Sequence, residues 1–305
     1  MIPIISTAVL FSVSIIILMY TKIMIFMACI LIFYLPWISA NPWPYSMTKY
    51  AVYNYINDDY KLKTYGADIN NVDHVIYENN ITYPFIIKPN HCSGANNGVF
   101  KINHHNDLQN YLSKNFDENF LIQEYYNSKY EIGLLYEKFP TSKNGKIISI
   151  VMKSKKQDNW QPLKCETLSN NESVACHDMT HIISDELTKV INNIAVNIPN
   201  FYVGRFDIGF DSWNDLQKGE NFKIFELNGV MGFDLRALFN TYNPFLLAKN
   251  ILLWIRWIIV RLIIGFINLV TLNSSICNMI QNMPNKLDKA LQCHNYEIIF
   301  QPSSA

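Results

Sequence analysis

The chain has 305 residues, half of them hydrophobic, with 25 basic and 25 acidic side chains. That length suffices for one large domain or two small ones, and the balanced charge argues against a nucleic-acid partner. Six cysteines (Cys29, Cys92, Cys165, Cys176, Cys277 and Cys293) lie far apart with no Cys-x-x-Cys pair. The spacing is unlike a disulfide framework or a structural zinc site and fits a reducing, cytosol-facing location.

Residues 1–21 carry no charge, Lys22 interrupts, and 23–48 again carry none. About 20 apolar residues cross a bilayer core as a helix, so 1–42 reads as a transmembrane anchor, either one span or a hairpin. Pro36 and Asn41-Pro42-Trp43-Pro44 end the segment. Phe33, Tyr34, Trp37, Trp43 and Tyr45 are placed as an interfacial aromatic belt would be. A cleaved signal peptide is the rival reading, disfavoured by the uncharged start and the length of the apolar region. Residues 43–79 are expected to be a linker or the remnant of an N-terminal region.

From 81 to 87 the chain reads as a buried strand ending at Lys88-Pro89, followed by a loop of small and polar residues, 90–98, and a strand at 99–102. Leu108, Tyr111 and Leu112 mark a short amphipathic helix, and 120–123 a strand. Strands at 131–136 and 147–152 are joined across Lys143-Asn144-Gly145. Leu187, Val190, Ile191, Ile194 and Ile198 then recur at helical spacing, with Ser184 as N-cap and Asp185 and Glu186 at the positive end of the helix dipole. The paired asparagines Asn170-Asn171 and Asn192-Asn193 read as loop composition.

That helix leads into Gly204-Arg205-Phe206-Asp207-Ile208-Gly209-Phe210, and a short polar connection separates it from Phe222-Lys223-Ile224-Phe225-Glu226-Leu227-Asn228-Gly229. As strands, side chains alternate between faces. Arg205 and Asp207 share one face of the first; Glu226 and Asn228 share one face of the second. Antiparallel pairing would gather Asp207, Glu226 and Asn228 beside Arg205. Two carboxylates so close repel unless a cation lies between them, and a few oxygen ligands suit Mg²⁺ that is also held by phosphates.

These motifs resemble the ATP-grasp ligases, of which D-alanine–D-alanine ligase is the familiar member. The resemblance covers roughly residues 80–235: the Lys88 strand with its loop, Leu121-Ile122-Gln123-Glu124-Tyr125-Tyr126, and Arg-x-Asp followed by Glu-x-Asn. It implies an α+β, two-lobed ATP-grasp fold, with lobe A at about 80–126 and lobe B at about 127–243. It also implies ATP with two Mg²⁺ (or Mn²⁺) held by Asp207, Glu226 and Asn228. Lys88 would bind the nucleotide phosphates, under a loop that includes Ser93, Gly94 and Gly98. Glu124 and Tyr125 would form the hinge that meets the adenine, and Glu131 would meet the ribose. Lys153 would supply a further phosphate contact, and Arg205 would stabilise the transferring phosphoryl group and the tetrahedral intermediate. Gly229 and Gly232 would let backbone N–H groups approach an oxyanion. Read without the resemblance, Lys88 and its loop are as readily a surface turn as an anion-binding nest. Glu124 and Glu131 are then ordinary exposed glutamates, and Lys153 reads almost equally as part of a basic surface turn with Lys155 and Lys156.

The implied activity is carboxylate–amine (or related nucleophile) ligation through an acyl-phosphate. An ATP-binding membrane protein that has lost ligation, acting as sensor or partner subunit, is the alternative. Two departures stand out. Only about 40 residues separate the apolar start from the Lys88 strand, below the size that usually folds alone. A second upstream lysine is matched by Lys61 and Lys63 in position only. The carboxylate substrate is unspecified, and the acceptor site is expected to be truncated, or completed by membrane helices or a protein partner. His177 and His181 have a metal-ligand spacing but lack the Glu of His-Glu-x-x-His. The sequons at Asn80, Asn171 and Asn273 matter only in a lumen.

From 244 to 272 the chain is apolar again, with Lys249, Arg256 and Arg261. At 100° per residue these fall, with Trp257, Asn250 and Asn268, in one arc of about 140°. The pattern predicts a membrane-associated helix lying in the lipid interface, its basic arc toward the headgroups. A spanning helix and a buried core helix are the alternatives. Residues 273–305 form a tail.

Overall fold

A computed structural model describes residues 18–25, 28–29, 49–90, 98–114, 119–153, 176–229, 232–238 and 244–271. In chain order the elements are α1 (Lys49–Tyr53), β1 (Thr64–Ala67), α2 (Val72–Glu78), β2 (Phe85–Pro89), β3 (Phe100–Ile102), α3 (His105–Lys114) and β4 (Phe120–Glu124). There follow β5 (Tyr130–Glu137), β6 (Lys146–Lys153), β7 (Cys176–Asp178), α4 (Asp185–Val196), β8 (Val203–Phe210), α5 (Trp213–Lys218), β9 (Phe222–Asn228) and α6 (Pro244–Thr271). Short 3-10 turns occupy Thr180–Ile182 and Leu235–Leu238. The mixed α+β class agrees with the expectation from sequence. Most of the expected N-terminal anchor, the loop residues 91–97 and the tail lie outside the described residues.

Two antiparallel sheets are present among the described residues. The first has the order β1-β4-β2-β3 and the second β7-β6-β5-β8-β9. In the first, β2 starts at Phe85, after Pro84, which has no N–H for a ladder. Phe85, Ile87, Phe120 and Ile122 point to one face, where they pack with Val72 of α2 and Leu108 and Tyr111 of α3. The second sheet places Ile132, Leu134, Phe206, Ile208, Phe210, Phe222 and Ile224 against Leu187, Ile191 and Ile194 of α4 and Leu216 of α5. Each such side chain, fully buried, contributes about 1.5–3 kcal/mol. Ser184 caps α4 by accepting from the Leu187 N–H at 3.1 Å, as its position suggested. The short polar connection between β8 and β9 is the helix α5.

Residues 49–79, expected as a linker or the remnant of an N-terminal region, add a strand to the first sheet and pack on the core of the second. Val52, Tyr53 and Ile56 belong to the core of the second sheet, and β1 pairs with β4 of the first. The physical reason is the open edge of β9, which would otherwise expose a row of unpaired backbone groups. The Ile224 N–H donates to the Tyr60 carbonyl at 2.7 Å, and the Ile224 carbonyl accepts from the Tyr53 hydroxyl at 2.6 Å. Of the two described cysteines, Cys29 is free and Cys176 is disulfide-bonded, a pairing that the spacing did not suggest.

Helix α6 reverses the expected direction of its polar arc. Arg256 pairs through both terminal nitrogens with the buried Glu137 of β5, at 2.7 and 3.0 Å. Arg261 is fully buried and donates to the carbonyls of Gly232, at 2.5 Å, and Trp257, at 3.1 Å. Asn250, Trp257, Ile264 and Asn268 are also buried, whereas Ile251, Leu252, Ile255, Ile258, Ile259, Ile263 and Phe266 are exposed. A desolvated guanidinium needs buried carbonyls and a carboxylate more than it needs headgroups, so the arc docks on the protein; Lys249 alone of its three cations stays exposed. Among the described residues this is the one helix long and apolar enough to cross a membrane, over Pro244–Val270.

Asn192, read from sequence as loop composition, is a buried joint. Its Oδ1 accepts from the Tyr136 hydroxyl at 2.7 Å and the Gly145 N–H at 2.8 Å, and its Nδ2 donates to the Gly145 carbonyl at 3.1 Å. It thereby ties α4 to the β5–β6 turn. Asn192→Ala leaves a buried hydroxyl without its acceptor and should destabilise the fold by about 1–3 kcal/mol in denaturant titration. A loss below about 0.5 kcal/mol would show that the joint is not needed.

Candidate active site

The site is built on the face of the second sheet turned away from its helices. On β8, Phe206, Ile208 and Phe210 fill the core, so Arg205, Asp207 and Gly209 point the other way. On β9, Phe222 and Ile224 are core residues, and simple alternation from them would bury Glu226 and Asn228. A β-bulge prevents this. Asp207 pairs with Glu226 but the next residue, Ile208, pairs with Ile224, so Phe225 has no partner. The extra residue shifts the alternation by one: Leu227 goes into the core, and Glu226 and Asn228 join Asp207 and Arg205.

The resulting cluster is tightly paired. Arg205 grips Asp207 with Nε at 2.8 Å from Oδ1 and Nη2 at 3.2 Å from Oδ2. Asn228 Nδ2 donates to Oδ2 at 3.2 Å, and Lys153 Nζ lies 3.5 Å from the same oxygen. Lys153 also pairs with Glu131 at 2.8 Å; these two residues are directly opposite on β5 and β6. Burial pushes the Asp207 carboxyl up, but Arg205 and Lys153 outweigh burial and hold it down at about 2. Burial pushes the Lys153 ammonium down, but Asp207 and Glu131 raise it above its ordinary value.

Lys88 comes from the other sheet. On β2 it shares a face with Ile86, opposite the helices, and it is buried. Its Nζ donates to the Phe225 carbonyl at 2.9 Å and to Gln123 Oε1 at 3.0 Å. Gln123 Nε2 donates to the same carbonyl at 3.3 Å and to Thr64 Oγ1 at 3.0 Å. The bulge therefore has a second consequence: the carbonyl it frees from the ladder becomes the point where the two sheets are bonded together. Gly98, with φ +78°, closes the loop after Lys88. A Cβ there would lie 2.7 Å from Pro89 Cγ, so the turn excludes other residues.

The remaining expected residues are more dispersed. Ser93 and Gly94 lie outside the described residues. Glu124 is exposed at the end of β4, its N–H donating to the Lys63 carbonyl at 2.9 Å. The Tyr125 ring stacks under Lys101 Nζ at 3.8 Å, and its hydroxyl donates to Asn127 at 3.2 Å. Lys61 pairs with Asp58 at 2.8 Å, and Lys63 is exposed. Gly229 and Gly232 close the loop after β9, the Gly232 N–H donating to the Gly229 carbonyl at 2.7 Å. A Cβ on Gly232 would lie 2.7 Å from the Asn228 carbonyl oxygen and 2.8 Å from the Arg205 nitrogen, so only glycine fits this approach.

Several contributors are not legible as site residues in the sequence. Tyr53 places its ring 5.6 Å from Lys88 Nζ, and its hydroxyl is fixed between β9 and the Leu62 N–H. Asp234 and Arg236 form a bidentate pair, with contacts from 2.6 to 3.2 Å, beside Ser149. The signal available for Gln123 was a polar residue inside the apolar run of β4.

Oxygen donors on one pair of adjacent strands (Asp207, Glu226 and Asn228) suit a hard divalent cation shared with phosphates. No group of three or more His, Cys, Asp or Glu side chains able to hold a metal occurs among the described residues, so such an ion would draw on the asparagine amide and on a ligand for its remaining contacts.

No family model matches the chain, and no curated protein matches it. Solved structures do. The chain is similar to the VanG D-Ala:D-Ser ligase from Enterococcus faecalis at 18% identity, over 60% of this chain and 52% of that one, with a TM-score of 0.42. It is similar to D-alanine–D-alanine ligase from Bacillus anthracis complexed with ATP at 12% identity, over 72% and 65% of the two chains, with a TM-score of 0.43. It is also similar to N5-carboxyaminoimidazole synthase from Aspergillus clavatus in complex with ADP, at 11% identity, over 60% and 44%, with a TM-score of 0.41. In each case the chain spans less than two thirds of the matched structure's length.

The low Asp207 value has a pH consequence. A carboxyl ordinarily titrates near 3.9 in the unfolded chain, above its folded value of about 2. Ionised Asp207 therefore stabilises the fold above about pH 4, and the contribution is lost as pH falls through about 2. Asp207→Asn should flatten the stability profile between about pH 4 and pH 2, measured by denaturant unfolding. Parallel profiles for the two proteins would assign the acid sensitivity to other groups.

Proposed function

We propose that the chain is an ATP- and Mg²⁺-dependent carboxylate–amine ligase of the ATP-grasp kind, acting through an acyl-phosphate at a membrane. The observation that carries this reading is the cluster at the β8–β9 bulge. Two carboxylates and an amide share a face with Arg205 and Lys153, and Lys88 reaches the same bulge from the opposite sheet. A solvated surface would gain nothing from burying so many charges, which is costly unless they are paired or bind a ligand.

In this reading the nucleotide lies between the two sheets. Lys88 and Lys153 meet its phosphates as compact point charges, while Glu124, Tyr125 and Glu131 serve the adenine and ribose. The loop with Ser93, Gly94 and Gly98 covers the phosphates. Asp207, Glu226 and Asn228 would hold Mg²⁺, which when bound neutralises charge on the transferring phosphoryl group. A carboxylate oxygen of the substrate attacks the γ-phosphorus, and the bond to ADP breaks. The amine then attacks the acyl carbon, loses a proton and expels inorganic phosphate. Arg205 clamps phosphoryl and acyl oxygens through its two-pronged guanidinium, and the site's charge pairs orient it before the substrate arrives.

Membrane attachment is supported by the inverted pattern of α6. A helix facing water turns its apolar stripe inward. Here the inward stripe contains Asn250, Arg261 and Asn268, and the outward face is Leu, Ile and Phe, the arrangement expected where the outer medium is hydrocarbon. The protein contacts run along Trp254, Arg256, Trp257 and Ile264; in this reading α6 would lie along the membrane with the domain on one side and lipid on the other.

For the ligase, full-length protein in nanodiscs should bind ATP with an affinity that falls at least tenfold in EDTA, by calorimetry. Glu226→Gln should lose most of that metal dependence. With MgATP, carboxylic acids and hydroxylamine, a hydroxamate should accumulate, because hydroxylamine intercepts activated acyl groups. Arg205→Ala should bind ATP nearly normally yet lose trapping by about 10²-fold or more, since its contacts to the phosphoryl and acyl oxygens strengthen as charge develops there in the transition state. Metal-independent ATP binding sinks the Mg²⁺ site; ADP without hydroxamate makes the chain a kinase or ATPase; binding with neither makes it a sensor. For the membrane, a tryptophan placed at Ile259 or Ile263 should gain quenching from acyl-brominated lipids relative to the unmodified chain. No added quenching means that this face is covered by protein.

A further inference from the structure

The loop that follows β9 connects the Arg205 end of the site to α6. Gly232 lies against the backbone of Arg205 and Asn228, and its carbonyl accepts from Trp257 Nε1 at 3.2 Å as well as from Arg261. The next residue, Phe233, stands half-buried with its ring centroid 5.8 Å from the Arg205 guanidinium carbon. The same ring stacks on Trp254 at 5.2 Å, with the planes 27° apart, and the Trp254 and Trp257 rings meet edge to face at 5.6 Å. Ile251 and Ile258, three and four residues from Trp254, are exposed on the outward face and neighbour it on the helix surface. Aromatic and aliphatic surface is thus continuous from the guanidinium to the lipid-facing stripe. The charged side chains of the same loop, Asp234 and Arg236, are turned to each other and to β6, so what meets Arg205 from this side is an aromatic ring.

We infer that the carboxylate taken at Arg205 belongs to a lipid-borne amphiphile, its hydrocarbon chain running over Phe233 and Trp254 to the outer face of α6. The inference rests on the ligase reading for the role of Arg205, and adds the chemical class of the substrate. An anionic head paired with a guanidinium and a chain lying on aromatic rings is a division of labour that a small polar acid cannot use. Each methylene so buried raises affinity about fourfold.

The test uses full-length protein in nanodiscs with MgATP and a fatty-acylated amino acid carrying a photoreactive diazirine midway along its chain and a free carboxylate. Labelling should map to 232–238 and Trp254. It should be competed by N-decanoylglycine at least tenfold better than by N-acetylglycine, and fall about tenfold or more in Phe233→Ala while Phe233→Leu restores it, with folding checked by thermal melting. Labelling confined to residues such as Ile255 and Ile263, and indifferent to Phe233→Ala, would reduce the contact to bulk lipid and overturn the inference. ADP release in the same reactions reads the ligase proposal separately. Labelling at Phe233 without ADP release sustains the lipid site and sinks the ligase reading, whereas equal ADP release with N-acetylglycine and N-decanoylglycine does the reverse.

Discussion

One unpaired residue in a ladder, Phe225, sets the geometry of the site. A strand offers a single choice of face to each residue, and β9 has to satisfy two demands that simple alternation cannot meet. Phe222 and Ile224 must fill the core beneath β8, while Glu226 and Asn228 must lie above it beside Asp207. The bulge resolves the conflict by one residue of slip. It also leaves a carbonyl with no ladder partner, a group that is costly to bury unsatisfied. Lys88 and Gln123 supply the missing donors. The same irregularity therefore positions the acidic half of the site and holds its basic half, from the other sheet, within reach.

The charges are balanced before any ligand arrives. Among the six named side chains, Lys88, Lys153 and Arg205 stand against Glu131, Asp207 and Glu226, and the central carboxylate has three donors around it. Buried charge is tolerated only when paired, so this neutrality constrains what can enter. A polyphosphate alone would leave the site strongly negative; accompanied by divalent cations, it would not. In the proposed reading, this charge balance would couple nucleotide to metal.

Much of this was readable because polar residues at matching parity on adjacent strands are a robust signal. Arg205, Asp207, Glu226 and Asn228 were placed together by alternation and an assumed antiparallel pairing. Yet that alternation, counted from Phe225 and Leu227, never needed the bulge to be recognised. Counting from Ile224 would have given the opposite answer. Other features were illegible for reasons of distance. Tyr53 reaches β9 across more than 160 residues of sequence, and no local pattern shows that a strand edge will need covering. Asn192 sits in a helix where apolar spacing dominates the reading, and its role depends on a turn it meets only in the folded chain. In α6 the pattern was seen and its direction misjudged, because periodicity finds the polar arc but does not say whether water, headgroup or protein lies opposite it.

That direction matters for how α6 and the cluster around Arg205 relate. Had the basic arc faced headgroups, α6 would be an anchor separate from the chemistry. With Arg256 on Glu137 and Arg261 on the Gly232 carbonyl, it becomes a wall of the domain. Glu137 terminates β5, the strand that carries Glu131, and Gly232 packs on the backbone of Arg205. The Arg261 contact is buried, and Arg256, itself half-buried, is paired with a Glu137 that is buried, so losing Arg256 would leave a buried carboxylate without its cation, a costly state. Rotating or lifting α6 would break both at once and release the loop that lies against Arg205. Helix α6 and the Arg205 end of the cluster are therefore held in one geometry by the same few groups.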